Sequence, residues 1–295
     1  MLKKLVMFAG VALVWLSAGN VSAQEGAVGL EQYVLRAGPI AVDGASNNCS
    51  GVSYCGECRS LVVVANSPPA LYVVGQDGTL RRKISLEGFD DTEDVVWVRG
   101  RRFAVVEERR RNLCLFDVDP SSEQVTYDAA ERILVDREPG GNQGIEGITY
   151  DAAGGRFFAV KEKEPRRIYM IPENAATGGS EITHPWDAES HALGCRDLSA
   201  VYYHPKTGHL LLVSDESKFV VETDLNGREI GRLRLTKGSA GLSEDIPQPE
   251  GITMNEDGNL YICSEPAWLY VFSRETAQTS GAGISGDAET QPSTK

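Results

Sequence analysis

Five times along this chain the same pattern returns: a Ser or Glu, a small or polar residue, a few apolar or aromatic positions, a glycine turn, an apolar strand, and a polar cluster. The units begin at Ser50-Gly51-Val52, Glu93-Asp94-Val95, Glu146-Gly147-Ile148, Ser199-Ala200-Val201 and Glu250-Gly251-Ile252, separated by 43, 53, 53 and 51 residues. That period is near the length of a four-stranded propeller blade and too long for a solenoid rung. The runs between turns, such as Leu61 to Ala65, Phe157 to Val160 and Leu210 to Val213, are short and rich in β-branched and aromatic residues, with almost no helical periodicity. The expectation is an all-β fold, a five-bladed β-propeller.

Turn chemistry supports the phase. Arg99-Gly100, Gly154-Gly155, Thr207-Gly208 and Asp257-Gly258 each follow the first strand of a unit, where a tight hairpin needs positive φ. Gln76-Asp77-Gly78 and Leu225-Asn226-Gly227 occupy a later turn, between third and fourth strands. The fifth unit supplies only three strands, so the segment Tyr33 to Val42 is expected to close it as the outer strand, leaving no ragged seam in the ring. The domain is placed at residues 33–273, with Gly178 to Ser190 and Lys237 to Gln248 as its longest irregular stretches. Residues 274–295, nearly devoid of apolar anchors, read as a disordered tail.

Residues 1–23 carry Lys3 and Lys4, an apolar run from Leu5 to Leu16, and Val21-Ser22-Ala23, the order of a secretory signal peptide. The chain is therefore expected in the periplasm, or held at the outer face of the cytoplasmic membrane by an uncleaved signal. Its formal net charge is −13, with 42 acids against 29 Lys and Arg. Such a surface disfavours nucleic acid and anionic membranes as partners. A monomer that meets a small molecule or an envelope protein is the expected state. Six cysteines in an exported chain make one or more disulfides plausible, and Cys55-Gly56-Glu57-Cys58, lying between two short strands, reads as a hairpin staple or idle thiols ahead of a redox motif.

The first strand of every propeller blade lines the central channel, so Ser50, Glu93, Glu146, Ser199 and Glu250 should form a ring about one axis. Three carboxylates gathered there would raise one another's pKa unless a cation intervened. An all-oxygen set of this type suits Ca²⁺, and Glu93, Glu146 and Glu250 are its expected ligands. The second strand runs back to the same end, so Asn66, Glu107 or its neighbour Glu108, Glu162, Asp215 and Glu265 are expected around the channel mouth, with Ser50 and Ser199, as ligand-binding positions. A solvated polar channel that binds nothing is the plainer alternative. The four histidines, His184, His191, His204 and His209, show no metal or triad spacing, and no nucleophile elbow or phosphate loop is present in the sequence.

These residues resemble the SdiA-regulated, YjiK-like bacterial propellers, which are distantly similar to NHL-repeat proteins. The resemblance is carried by Leu235-Thr236-Lys237-Gly238-Ser239, Gly241-Leu242-Ser243, Ile246-Pro247-Gln248, Glu250-Gly251-Ile252, Leu260-Tyr261-Ile262 and Ser264-Glu265-Pro266. Gly144 to Gly147, Lys161-Glu162-Lys163 and Asp197-Leu198-Ser199 are similar to its blade starts. The resemblance implies a five-bladed propeller with a calcium site, exported to the cell envelope, whose activity is not established. The readings are thus a non-catalytic scaffold that binds a ligand or partner at the channel mouth, or a calcium-dependent hydrolase of lactones or esters.

Overall fold

The computed structural model describes residues 26–45, 48–136, 144–175 and 181–275. The expected signal peptide and nearly all of the expected tail lie outside the described residues. After a single turn at Leu30–Gln32 comes β1 (Tyr33–Ala41). Blade 1 is β2 (Cys49–Cys55), β3 (Ser60–Asn66), β4 (Pro69–Val74) and β5 (Leu80–Glu87). Blade 2 is β6 (Thr92–Arg99), β7 (Arg102–Glu107), β8 (Asn112–Asp117) and, after a short β9 (Gln124–Thr126), β10 (Glu131–Leu134). Blade 3 is β11 (Ile145–Asp151), β12 (Arg156–Lys161), β13 (Arg167–Pro172) and β14 (Thr183–Asp187). Blade 4 is β15 (Ala200–His204), β16 (His209–Ser214), β17 (Phe219–Thr223) and β18 (Glu229–Arg234). Blade 5 is β19 (Pro249–Met254), β20 (Leu260–Ser264) and β21 (Trp268–Arg274), completed by β1.

The protein is a five-bladed β-propeller closed by its N-terminal strand. β1 runs antiparallel to β21 from Tyr33↔Arg274 to Ala41↔Trp268. Arg274 therefore ends a strand instead of opening the tail. The turn glycines behave as their chemistry requires: Gly100, Gly155, Gly208 and Gly258 stand at φ 51°, 59°, 72° and 81°. One irregular stretch differs from expectation, because Thr183–Asp187 pairs with β13 as the outer strand of blade 3. Pro185 breaks the alternation a sequence pattern would need, yet an edge strand tolerates it. In blade 2 the chain detours so that β9 pairs in parallel with β5 of blade 1, clasping two blades at their outer edges.

The core is divided into five apolar wedges, one in each gap between neighbouring blades. Val64, Leu71, Val95 and Val105 fill the first gap; Ala104, Leu115, Ile148 and Ala159 the next. Val52, Val63, Tyr261 and Cys263 seal the seam between last and first blades. Residues of the inner strand alternate between the two neighbouring blades, so no sheet face is left for solvent. No helix among the described residues is long and apolar enough to cross a membrane.

Candidate functional site

The ring positions owe their direction to β-bulges. Ser50 is the extra residue between the pairs Cys49↔Ala65 and Gly51↔Val64. Glu93, Glu146 and Glu250 are the extra residues of β6, β11 and β19 at the same point. Ser199 stands just ahead of β15, its N–H bonded to Val213 O at 3.0 Å, while Ala200 pairs with Val213. A bulge turns one side chain off the sheet and tightens the local twist, and four of the five ring positions carry one.

The residue after each bulge is small because inner strands nearly touch. A Cβ on Gly147 would lie 2.8 Å from Ala200 Cα, and one on Gly251 would lie 2.7 Å from Val52 N. Asp94 is the exception in this layer. Its carboxyl is buried, with Oδ1 accepting Val95 N–H at 2.7 Å and Oδ2 accepting Ile148 N–H at 2.8 Å. Burial holds it well above the usual carboxylate range, against the pull of those N–H donors.

Glu93, Glu146 and Glu250 are near enough to feel acidic charge from one another, but among the described residues the three carboxylates that gather within 4.8 Å are Asp91, Glu93 and Glu108, a set that holds one of the three expected ligands. Burial pushes the Glu93 carboxyl up to about 7; the Asn66 amide, donating to its Oε1 at 3.2 Å, opposes the rise, and the charges of Asp91 and Glu108 add to it. Glu146 is raised well above its ordinary value, first by burial and then by Glu93, Glu108, Glu162 and Glu250. Glu250 is raised likewise, by burial and then by Asp215, Glu265 and Glu93. These groups keep some contact with channel water, and burial is the first cause of each rise, with repulsion from neighbouring acids adding to it.

Around this inner set the second-strand residues stand as a hairpin dictates, with one substitution. Glu107 is fully buried on the other face of β7, where its Oε1 accepts Asp90 N–H at 2.9 Å and pairs with Arg110 at 2.9 Å, and Cys114 Sγ lies 3.5 Å from its Oε2. The next residue, Glu108, faces the site instead. Oxygens of Asp91, Glu93 and Glu108 lie within 4.8 Å of one another. Asp91, missed in the sequence because it precedes the repeat unit, occupies φ 54°, a left-handed position that Asp tolerates. Asp197, also outside the unit, accepts the hydroxyl of Ser214 and the N–H of Glu216 beside Glu250.

Charge compensation separates inner from outer carboxylates. Glu162 pairs with Lys163 at 2.7 Å, Asp215 with Lys218 at 2.5 Å and Asp91 with Arg109 at 3.0 Å. Among the described residues, Glu146 and Glu250 have no basic side chain within 4.0 Å and no hydrogen-bond donor. Ser199 Oγ is turned away to Pro249 O at 2.7 Å, and Ser50 Oγ bonds Asn48 O at 3.4 Å. Glu265 is raised by burial and by Asp215.

At the far ends of the inner strands lies a recess of about 1000 Å³, lined by none of the expected site residues. The remaining sequence candidates are structural. Cys55 and Cys58 form a disulfide across the β2–β3 turn, while Cys49, Cys114, Cys195 and Cys263 are buried free thiols. Burial lowers His204 to about 4, with Lys206 adding to the effect, and its Nδ1 lies 2.9 Å from Thr207 Oγ1. His209 Nδ1 meets Glu222 at 2.6 Å.

Comparison with known proteins adds the following. A sequence model described as SdiA-regulated matches residues 25–273. Among solved structures, a chain of a nidogen/laminin complex is 11% identical with TM-score 0.49, covering 74% of this chain and 73% of that one. A streptogramin B lyase is 10% identical with TM-score 0.46, covering 82% of this chain and 98% of that one.

Proposed function

Since the chain belongs to the SdiA-regulated family, we propose that it is an exported propeller whose acidic channel end holds a calcium ion through Glu93, Glu146 and Glu250. The observation that carries this reading is that Glu146 and Glu250 are each buried among acidic neighbours, Glu93 among them, without a basic partner or hydrogen-bond donor among the described residues, while Glu162 and Asp215 are paired with lysines. Like charges so placed are stable only when protonated or when a cation lies between them. The donors are all oxygen, and carboxylates with water to complete the shell fit calcium better than softer metals. Bound calcium would supply neutralising charge; the residues themselves orient it, with Asn66 fixing Glu93 and the bulges fixing all three.

On this reading the protein is a calcium-stabilised envelope scaffold, and the mouth formed by Glu108, Glu162, Asp215 and Glu265 meets a small ligand or protein partner. Export is supported by the order of charge, apolar run and small residues in 1–23 and by the Cys55–Cys58 disulfide. Calorimetric titration of calcium into chelator-treated protein tests it. One site in the wild type, lost in the triple Glu93→Gln, Glu146→Gln, Glu250→Gln variant, is the expected result. Absence of heat together with unchanged melting on adding calcium would overturn it. Lactone and aryl-ester substrates assayed with and without chelator distinguish the scaffold from a hydrolase.

A further inference from the structure

The two ends of the channel have opposite chemistry. Four residues beyond each ring position stand Tyr54, Trp97, Tyr150, Tyr203 and Met254, so four blades present an aromatic side chain at one level of the wide recess. Two of these side chains are held by their polar tips. Trp97 Nε1 donates to Gly100 O at 3.0 Å, and Tyr150 OH donates to Glu173 at 2.6 Å while accepting Arg99 Nη1 at 3.1 Å. The walls are therefore pre-set before any ligand arrives.

One level deeper are Ser53, Thr149 and Thr253, all buried. Each hydroxyl oxygen accepts a backbone N–H of the next blade: Trp97 to Ser53 at 2.9 Å, Tyr203 to Thr149 at 2.9 Å, Tyr54 to Thr253 at 3.0 Å. A hydroxyl that accepts still has its own proton to donate, and no acceptor for these three lies among the described residues. Tyr202 stands at the same level and lines the recess, and its hydroxyl makes no hydrogen bond to a described residue. The recess thus offers aromatic walls and four unspent O–H donors. At its rim Asp151 pairs with Arg156 at 3.0 Å and Glu256 with Arg59 at 3.6 Å, and Lys206, Asp257 and Arg274 also line it.

We propose that this recess is a second binding site, independent of the calcium reading, that takes an uncharged sugar ring. The volume is that of a ligand pocket. Axial C–H groups of a pyranose carry partial positive charge and lie well on the negative faces of Trp and Tyr. Its ring and hydroxyl oxygens supply the acceptors that the wall hydroxyls lack, which a plain aromatic compound cannot do.

Methyl β-glucopyranoside is the probe, followed by saturation-transfer NMR and by tryptophan emission, with phenol as the aromatic control. The glucoside is expected to saturate at millimolar concentration. Tyr202→Phe, which removes one hydroxyl and no packing, should weaken it about fivefold, and Trp97→Ala more than tenfold. Leu134→Ser, exposed on the outer strand of blade 2 and not among the residues lining the recess, should leave the titration unchanged. A signal that never saturates, that both recess variants leave intact, or that only phenol produces would overturn the proposal.

Discussion

The Asn66 amide reaches from the end of one blade's second strand to Oε1 of Glu93 on the inner strand of the next, at 3.2 Å. Glu93 is in this way given a neutral donor that Glu146 and Glu250 lack. The three ring carboxylates are consequently unequal, and their responses to pH, metal and substitution should differ in a defined order.

Without calcium, stability should fall as pH rises from about 4.5 to 7. Glu93 titrates near 7 in the folded chain and Glu146 and Glu250 are raised too, so the folded state binds more protons than the unfolded state across that window. Saturating calcium should flatten the slope. Thermal melts at several pH values, in chelator and in calcium, check this; coincident curves at pH 8 would exclude a cation from the ring.

Glu146→Gln removes the carboxylate with four acidic neighbours. In chelator at pH 8 it should stabilise the protein by about 1–2 kcal/mol, and in calcium it should weaken the metal at least tenfold. Glu93→Gln should give a smaller gain in chelator, since Asn66 already favours the ionised form there. Chemical denaturation and calcium titration of both variants rank them.

Asp94→Ala would strand the N–H groups of Val95 and Ile148 in the tightest part of the channel wall. A cost of about 1–3 kcal/mol for each buried orphan follows. Asp94→Asn keeps an acceptor oxygen and imitates the protonated acid that burial favours, so it should cost far less. Urea midpoints of the two variants separate a hydrogen-bonding role from a charge role.

Gly147→Ala places a methyl 2.8 Å from Ala200 Cα, a backbone contact that cannot swing aside. Overpacking of this kind should destabilise by about 1–3 kcal/mol. Gly155→Ala, with nothing within 4 Å of its Cβ, should lose only what its φ of 59° demands. Comparing the two by denaturant unfolding isolates blade-to-blade contact from turn strain.

The ring and its closure were legible in the linear pattern because a blade is a local object. Four strands joined by short hairpins keep their period and their turn glycines within about fifty residues, and a three-strand remainder at one end calls for Tyr33 to Val42 from the other. Glu93, Glu146 and Glu250 were legible for the same reason, as they share one phase. Asp91 and Asp197 were not, since they precede the repeat unit and reach the site only through loop geometry. Glu107 against Glu108 is a matter of one residue of register, which reverses the face a side chain occupies. A signal for Asp94 did exist: it breaks a column of Gly, Gly, Ala and Gly.

The order of residues alone settled that the chain makes five β-units, that they need the N-terminal strand to close, and that three acids recur at one position. Only the assembled ring decided which acids face one another, which are neutralised by lysine or arginine, and that the roomy end of the channel lies away from them. The reason is that strand patterning reports a residue's neighbours along its own hairpin, while the electrostatics of a channel depend on distances between blades whose inner strands are some fifty residues apart in the chain.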